Sequence, residues 1–296
     1  MAKYRVWLML AICNLFWAGN YVFGKYVVAE MTPLWITFSR WLLAGFLLFP
    51  LAYYMEKPVW SAIKKDWFLL ICMGLLGIVG FNIVLYSALE YTTATNAALV
   101  SALNPGVIVV SSVILYRERI SLMQICGFCA ALVGVVIVLT NGDMERLLQV
   151  EFNLGDLLML AAVVIWTLYS QVAKRISIPP ITATAISTGS AVLMLAPFAL
   201  AQGIEITRLG PLAITGILYM AVFSSACSFV FWNMSVQEVG ASKAGVFLNL
   251  IPVFTAIISS LLGERITGAQ GLGGLLVLFG IYLTSGRQVL RKTTQE

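Results

Sequence analysis

Amide and aromatic side chains recur at helical spacing inside otherwise apolar stretches of this 296-residue chain. Asn14, Trp17 and Tyr21 stand at i, i+3 and i+7, Trp166 and Tyr169 at i, i+3, and Asn82 and Tyr86 at i, i+4, so each set shares a helix face. Phe229 and Asn233 lie 147 residues beyond Asn82 and Tyr86 and repeat the pairing of ring and amide. Such residues bind rather than catalyse: rings cover an apolar body and amides hold polar ends. Polar groups in hydrocarbon are costly unless they have work there. Asn14, Trp17, Asn82, Tyr86, Trp166, Tyr169 and Asn233 are therefore the candidate solute-binding residues. Arg40 and Lys243 are candidates for a gate or a charge role. The plainer alternatives are a structural arginine that snorkels or bonds backbone carbonyls, and a lysine that only marks topology.

The elements that must hold these residues follow from composition. Of the chain, 60% is apolar and 10% charged, and mean hydropathy is +0.95. So apolar a chain of this size cannot hide its surface from water and belongs in a bilayer. There is no histidine, which excludes Ser-His-Asp and Cys-His catalysis and histidine metal sites. Cys126 and Cys129 form a C-x-x-C within an apolar run, where thiols act as small hydrophobes, and neither a metal nor another cofactor is expected. The net charge of +5 is scattered over short connections, which argues against a nucleic-acid partner.

A bilayer core about 30 Å thick needs roughly 20 helical residues per crossing. Apolar runs predict ten: 6–27, 33–55, 67–89, 93–116, 121–140, 155–173, 180–201, 210–234, 241–262 and 267–286. With a cytoplasmic N-terminus, thirteen lysines and arginines fall in inner connections against four, Lys25, Arg146, Arg208 and Arg265, in outer ones. That imbalance places both termini in the cytoplasm.

Landmarks also recur. Pro33 and Pro180, Pro50 and Pro197, and Pro105 and Pro252 are each 147 residues apart. Trp17 and Lys25 precede Trp166 and Lys174 by 149, and Glu118-Arg119-Ile120-Ser121-x-x-Gln124 precedes Glu264-Arg265-Ile266-Thr267-x-x-Gln270 by 146. The expected organisation is a five-helix repeat over 4–140, a second over 154–286, and a cytoplasmic tail, 287–296. Five is odd, so the second copy enters from the opposite side. Inverted repeats are typical of secondary transporters. Ser121/Gln124 and Thr267/Gln270 should close capping boxes. Pro105 and Pro252 should bend the fourth and ninth helices from within. Gly127, Gly134, Gly273 and Gly280 should let helices approach closely.

The run Trp17-Ala-Gly-Asn-Tyr-Val-Phe-Gly-Lys25, the Arg40 helix, Ala88-Leu89-Glu90-Tyr91-Thr92-Thr93 and the two P-x(11–12)-E-R signatures resemble the EamA family of the drug/metabolite transporter superfamily. The resemblance spans residues 4–286. It implies an all-α integral membrane protein of ten helices in the bacterial cytoplasmic (inner) membrane. It also implies an exporter of amino acids, other metabolites or drugs, with a small solute and the lipid bilayer as partners.

No Walker-type sequence is present, and the acidic residues sit at or near span ends. Facilitated transport or exchange is expected, with proton coupling through Glu90 or Glu118 as the fallback. A passive channel is the alternative function. An enzyme would need a catalytic set, such as paired carboxylates at mid-membrane, that the spans lack.

Overall fold

A computed structural model describes residues 2–92, 97, 100–117, 120–140, 142–143, 145, 153–203, 209–261 and 267–286; their regular elements are all helical. In chain order these are α1 (Ala2–Val28), α2 (Pro33–Met55), α3 (Trp60–Tyr91), α4 (Asn104–Tyr116), α5 (Leu122–Thr140), α6 (Leu154–Ala173), α7 (Pro180–Gln202) and α8 (Pro211–Val239). Next, α9 starts as Ala241–Gly245, tightens into a 3-10 turn over Val246–Asn249 and continues as Leu250–Leu261; α10 is Gly268–Gly286. Among the described residues eight helices are long and apolar enough to cross a membrane, and α4 and α10 are shorter apolar helices.

Helix starts have local causes. Pro33, Pro180 and Pro211 open α2, α7 and α8, where the missing N–H would find no partner anyway. Both expected capping boxes form. Ser121 N–H donates to Gln124 Oε1 at 2.9 Å and Thr267 N–H to Gln270 Oε1 at 3.0 Å, while each Gln N–H returns to the hydroxyl at 3.2 Å. A further box, Asn153 with Asp156, starts α6. Gly240, at φ +86°, turns α8 into α9 with no intervening loop. Glu118, Arg119, Glu264, Arg265 and Ile266 of the paired signatures, and the tail 287–296, lie outside the described residues.

One expectation is corrected. The third helix starts at Trp60 rather than 67, because its first turns are amphipathic: Lys64 and Lys65 are exposed while Ile63, Asp66 and Leu70 are buried. An apolar-run criterion stops at those charges, but a 3.6-residue period does not. Pro105 and Pro252 each lie next to an irregularity inside an apolar span. Pro105 stands in the first turn of α4, after the turn residues Ala102 and Leu103, and Pro252 follows the 3-10 turn of α9. The chain accommodates each ring by restarting the helix there.

Two stretches widen into π-helix, Gly74–Gly80 in α3 and Met220–Cys227 in α8. Gly74 and Ala221 are 147 residues apart, the spacing of the prolines.

The bundle is held along two lines. α2 and α7 run antiparallel and are tied at both ends. At one, Trp35 Nε1–H donates to Gly203 O at 2.8 Å. At the other, both oxygens of Glu56 accept from α7, from Ile181 N–H at 3.0 Å and Thr182 N–H at 2.6 Å. That carboxylate also suits the positive end of the α7 dipole. α5 and α10 meet through glycine. A Cβ on Gly134 would lie 2.6 Å from Gly273 O and one on Gly273 2.7 Å from Gly134 O; Gly127 and Gly280 are related in the same way. Here the obstacle is backbone, which cannot rotate aside. Gly280→Ala, whose Cβ would sit 2.4 Å from Gly127 O, is expected to cost about 1–3 kcal/mol of stability. Gly271→Ala, with nothing within 4 Å, is expected to be neutral or stabilising. Thermal unfolding of the two variants in detergent, followed by far-UV circular dichroism, checks the contrast.

Candidate solute-binding site

Large rings from several helices meet in the middle of the bundle. Trp17 of α1 packs edge-on against Trp166 of α6, centroids 5.0 Å apart, and lies 5.9 Å from Phe229 and 5.6 Å from Trp232 of α8. Trp166 also touches Tyr169 at 5.0 Å, Phe81 of α3 at 4.9 Å and Phe229 at 5.5 Å. Trp17, Trp166 and Tyr169, three of the sequence candidates, are thus brought together and buried. Trp17 Nε1–H donates to Ser224 O at 3.1 Å, whereas the indole N–H groups of Trp166 and Trp232 have no partner.

Asn82 and Tyr86 lie elsewhere, around Arg40. The guanidinium is 1% exposed, so Arg40 does not snorkel, and its hydrogen bonds go to side chains rather than backbone carbonyls. Nε donates to Ser225 Oγ at 2.7 Å; Nη1 donates to Asn20 Oδ1 at 2.9 Å, to Asn82 Oδ1 at 3.3 Å and to the Tyr86 hydroxyl. Tyr86 in turn donates to Asn20 Oδ1 at 3.2 Å. Asn82 is aimed by its other end: Nδ2 donates to Gly77 O and Ile78 O, at 3.1 and 2.9 Å, inside the π-helical stretch of α3. Arg40 lies seven residues into α2, and this cluster sits towards the end of the bundle that holds the α1–α2 turn.

Asn233 belongs to a second network towards the opposite end. Tyr169 OH donates to Asn233 Oδ1 at 2.8 Å, and Asn233 Nδ2 donates to Thr184 Oγ1 at 3.0 Å, four residues into α7. The two networks share a bond with its members exchanged. Asn20 and Tyr169 are 149 residues apart, Tyr86 and Asn233 147 apart; amide on α1 with phenol on α3 becomes phenol on α6 with amide on α8. The position 147 beyond Arg40 is Ser187, which is buried with its hydroxyl unpartnered.

Asn14 joins neither network: Nδ2 donates to Leu10 O at 2.6 Å and Oδ1 has no partner. Lys243 is half-buried in the first turns of α9; Asn96, 147 residues before it, lies outside the described residues. Sequence reasoning missed Asn20, Thr184, Trp232 and the α8 serines. Asn20 was legible as the residue 149 before Tyr169 and one turn beyond Trp17. It also missed Asn104 and Asn249, buried beside the helix restarts at Pro105 and Pro252, with Asn104 Oδ1 and both polar atoms of Asn249 unpartnered.

The α1–α8 contact carries several polar bonds. Tyr219 OH and Ser224 Oγ donate to Phe16 O at 3.1 and 3.0 Å, and Ser228 Oγ donates to Cys13 O at 3.2 Å. The residues 147 before Ser224, Ser225 and Ser228 are Gly77, Ile78 and Phe81, none of which has a polar side chain. There Gly77 instead admits the ring of Tyr169, whose Cδ2 would lie 2.3 Å from an added Cβ.

Comparison with known proteins agrees with this architecture. The chain is similar to the uncharacterized transporter YyaM of Bacillus subtilis (strain 168), 29% identical over 97% of this chain and 95% of that protein. YetK of the same organism, also described as an uncharacterized transporter, is 30% identical over 94% of this chain and 86% of its own length. An uncharacterized transporter of Archaeoglobus fulgidus is 28% identical over 95% and 97%. The fold is similar to that of a solved crystal structure at TM-score 0.79 and 20% identity, covering 96% of this chain and 99% of the other. The EamA-like transporter family matches twice, over residues 5–140 and 153–286. With that match spanning most of the sequence, this helical, multi-pass membrane protein belongs to the EamA-like transporter family.

Proposed function

We propose that the chain is a secondary transporter that exports small amphipathic solutes, metabolites such as amino acids or drugs, across the bacterial cytoplasmic membrane by alternating access. Residues 4–140 and 154–286 act as two inverted five-helix repeats with both termini cytoplasmic. The observation that carries this reading is a ring-packed middle flanked by one polar network towards each end. Networks at opposite ends of a central site are what alternating access requires: each closes the path on its own side and opens in turn. When the rings part, a solute meets Trp17, Trp166 and Tyr169, with Asn14, Asn82, Tyr86 and Asn233 at their margins. The unpartnered Trp166 and Trp232 N–H groups, Asn14 Oδ1 and Asn249 are then available to it. Pro105 and Pro252 lie where α4 and α9 restart, and they let those helices change direction around the site. Lys243 is a charge at the cytoplasmic side.

A passive pore calls for a continuous polar line, which contacting rings interrupt. Coupling is to the solute's own gradient. The buried acids Asp66 and Asp156 stand near helix starts and accept hydrogen bonds there, from Ser177 and from Thr92 and Asn153 respectively. Asp66 thereby ties α3 to the α6–α7 connection, and Asp156 closes the capping box of α6.

In proteoliposomes, exchange of a labelled aromatic amino acid is expected to saturate, to show counterflow, and to be unchanged by an imposed pH gradient. Accumulation driven by that gradient would overturn the coupling, and flux without saturation or counterflow would indicate a channel. Asn233→Ala leaves the Tyr169 hydroxyl without its acceptor, a loss of about 1–3 kcal/mol. It is expected to lower the counterflow rate about 5- to 100-fold while the protein still inserts. Asn82→Ala is expected to do the same, and unchanged rates in both would remove these networks from the transport cycle.

A further inference from the structure

We infer that Arg40 is a carboxylate subsite, so that the favoured solutes carry an apolar body and an anionic end. This inference rests on the transporter reading above. Among the described residues, each hydrogen-bond acceptor of the guanidinium, Ser225, Asn20, Asn82 and Tyr86, is neutral. Among the described residues, the acids at that end of the bundle are engaged elsewhere or exposed. Glu30 accepts from Gly210 N–H at 2.6 Å, Asp156 from the Thr92 hydroxyl at 2.6 Å, and Glu90 is exposed. The positive charge is therefore solvated by dipoles but not neutralised, in surroundings where an isolated charge is expensive.

Helix packing alone does not call for that charge. Ser187, 147 residues on, occupies the corresponding place in α7, and α7 packs as fully as α2 does. The shared amide–phenol bond likewise forms at the other end with Thr184 beside it and no cation. What distinguishes Arg40 is its position next to the rings. Its Cζ lies 5.8 Å from the centroid of Trp41, and Trp41 packs at 4.6 Å on Phe229, a member of the central ring group. A solute whose apolar part lies among the rings can extend one ring's width and meet the guanidinium. A carboxylate suits it best, because two oxygens accept in plane from a fixed fork of N–H donors. A free ammonium on the solute would meet no acid among the described residues that bond Arg40.

The test uses the purified full chain in nanodiscs and its intrinsic tryptophan fluorescence, with matched probes: 3-phenylpropionate, phenylalanine, 3-phenylpropionamide and phenethylamine. The two carboxylates are expected to bind at least about tenfold tighter than the amide or the amine. In Arg40→Gln that ratio falls to near one, and in Arg40→Lys, which keeps the charge but not the fork, it is intermediate. Both variants are compared only where their circular dichroism and thermal unfolding show a folded protein, and Arg40→Lys carries the test if Arg40→Gln does not fold. Equal binding of acid and amide by the unaltered protein, or a ratio unchanged by the substitutions, would overturn the subsite. Binding of none of the four probes would overturn it too. Saturable counterflow of the amide probe alone would leave the transporter reading standing while sinking this one.

Discussion

A polar group held inside a bundle of membrane helices has no water to turn to, so it must find its partner within the chain. Much of the interior is arranged by that requirement. Thr37, Ser39, Ser170 and Thr184 turn their hydroxyls back onto the carbonyls of Pro33, Trp35, Trp166 and Pro180, four residues earlier. Asn82 takes carbonyls of the π-helical stretch in α3, and that fixes its Oδ1 on Arg40. The exceptions matter more than the rule. Asn249, Asn104, Asn14, Trp166 and Trp232 keep buried polar atoms without partners. Each such atom costs about 1–3 kcal/mol, a sizeable part of a typical folding stability of about 5–15 kcal/mol. Groups of this kind lie beside contacting rings and helix restarts.

The two kinds of packing divide the labour. Along α5 and α10 backbones approach closely, and α2 and α7 are tied at both ends. The middle is filled by rings whose edge-to-face contacts are non-covalent and broad. The ring contacts themselves carry no hydrogen bond; the bonds of the group are those that Trp17 gives to Ser224 and Tyr169 to Asn233. Stiff flanks and a separable middle are the mechanical requirements of rocking motion.

The two ends are alike in plan but not in chemistry. The exchanged amide–phenol bond gives each end the same kind of closure. Arg40 and the serines of α8 then make one end more polar, where Ser187, Gly77 and Ile78 stand at the corresponding places of the other. Arg40 thus places a buried cation at one end, where the corresponding position of the other holds a serine.

Several of these features were legible in the amino-acid sequence because they are local. Helical runs follow from hydropathy, and both capping boxes follow from hydroxyl-x-x-Gln spacing. The family follows from motifs in order, and the glycine seam follows from residues seven apart on one face. Asn82 with Tyr86 and Trp166 with Tyr169 were likewise identifiable as pairs, since one helix turn joins them. Which pairs meet each other was not legible, because that depends on crossings between residues far apart in the chain. The sequence places the candidates on several helix faces; folding brings Trp17, Trp166 and Tyr169 into one ring group, Asn82 and Tyr86 into the Arg40 network and Asn233 onto Tyr169. Arg40 shows the limit most plainly. Its place in α2 was readable from hydropathy alone, yet its neutral surroundings come from α1, α3 and α8, up to 185 residues away. Local periodicity determined what this protein is built from, and only tertiary contact decided which buried groups are satisfied and which are left waiting.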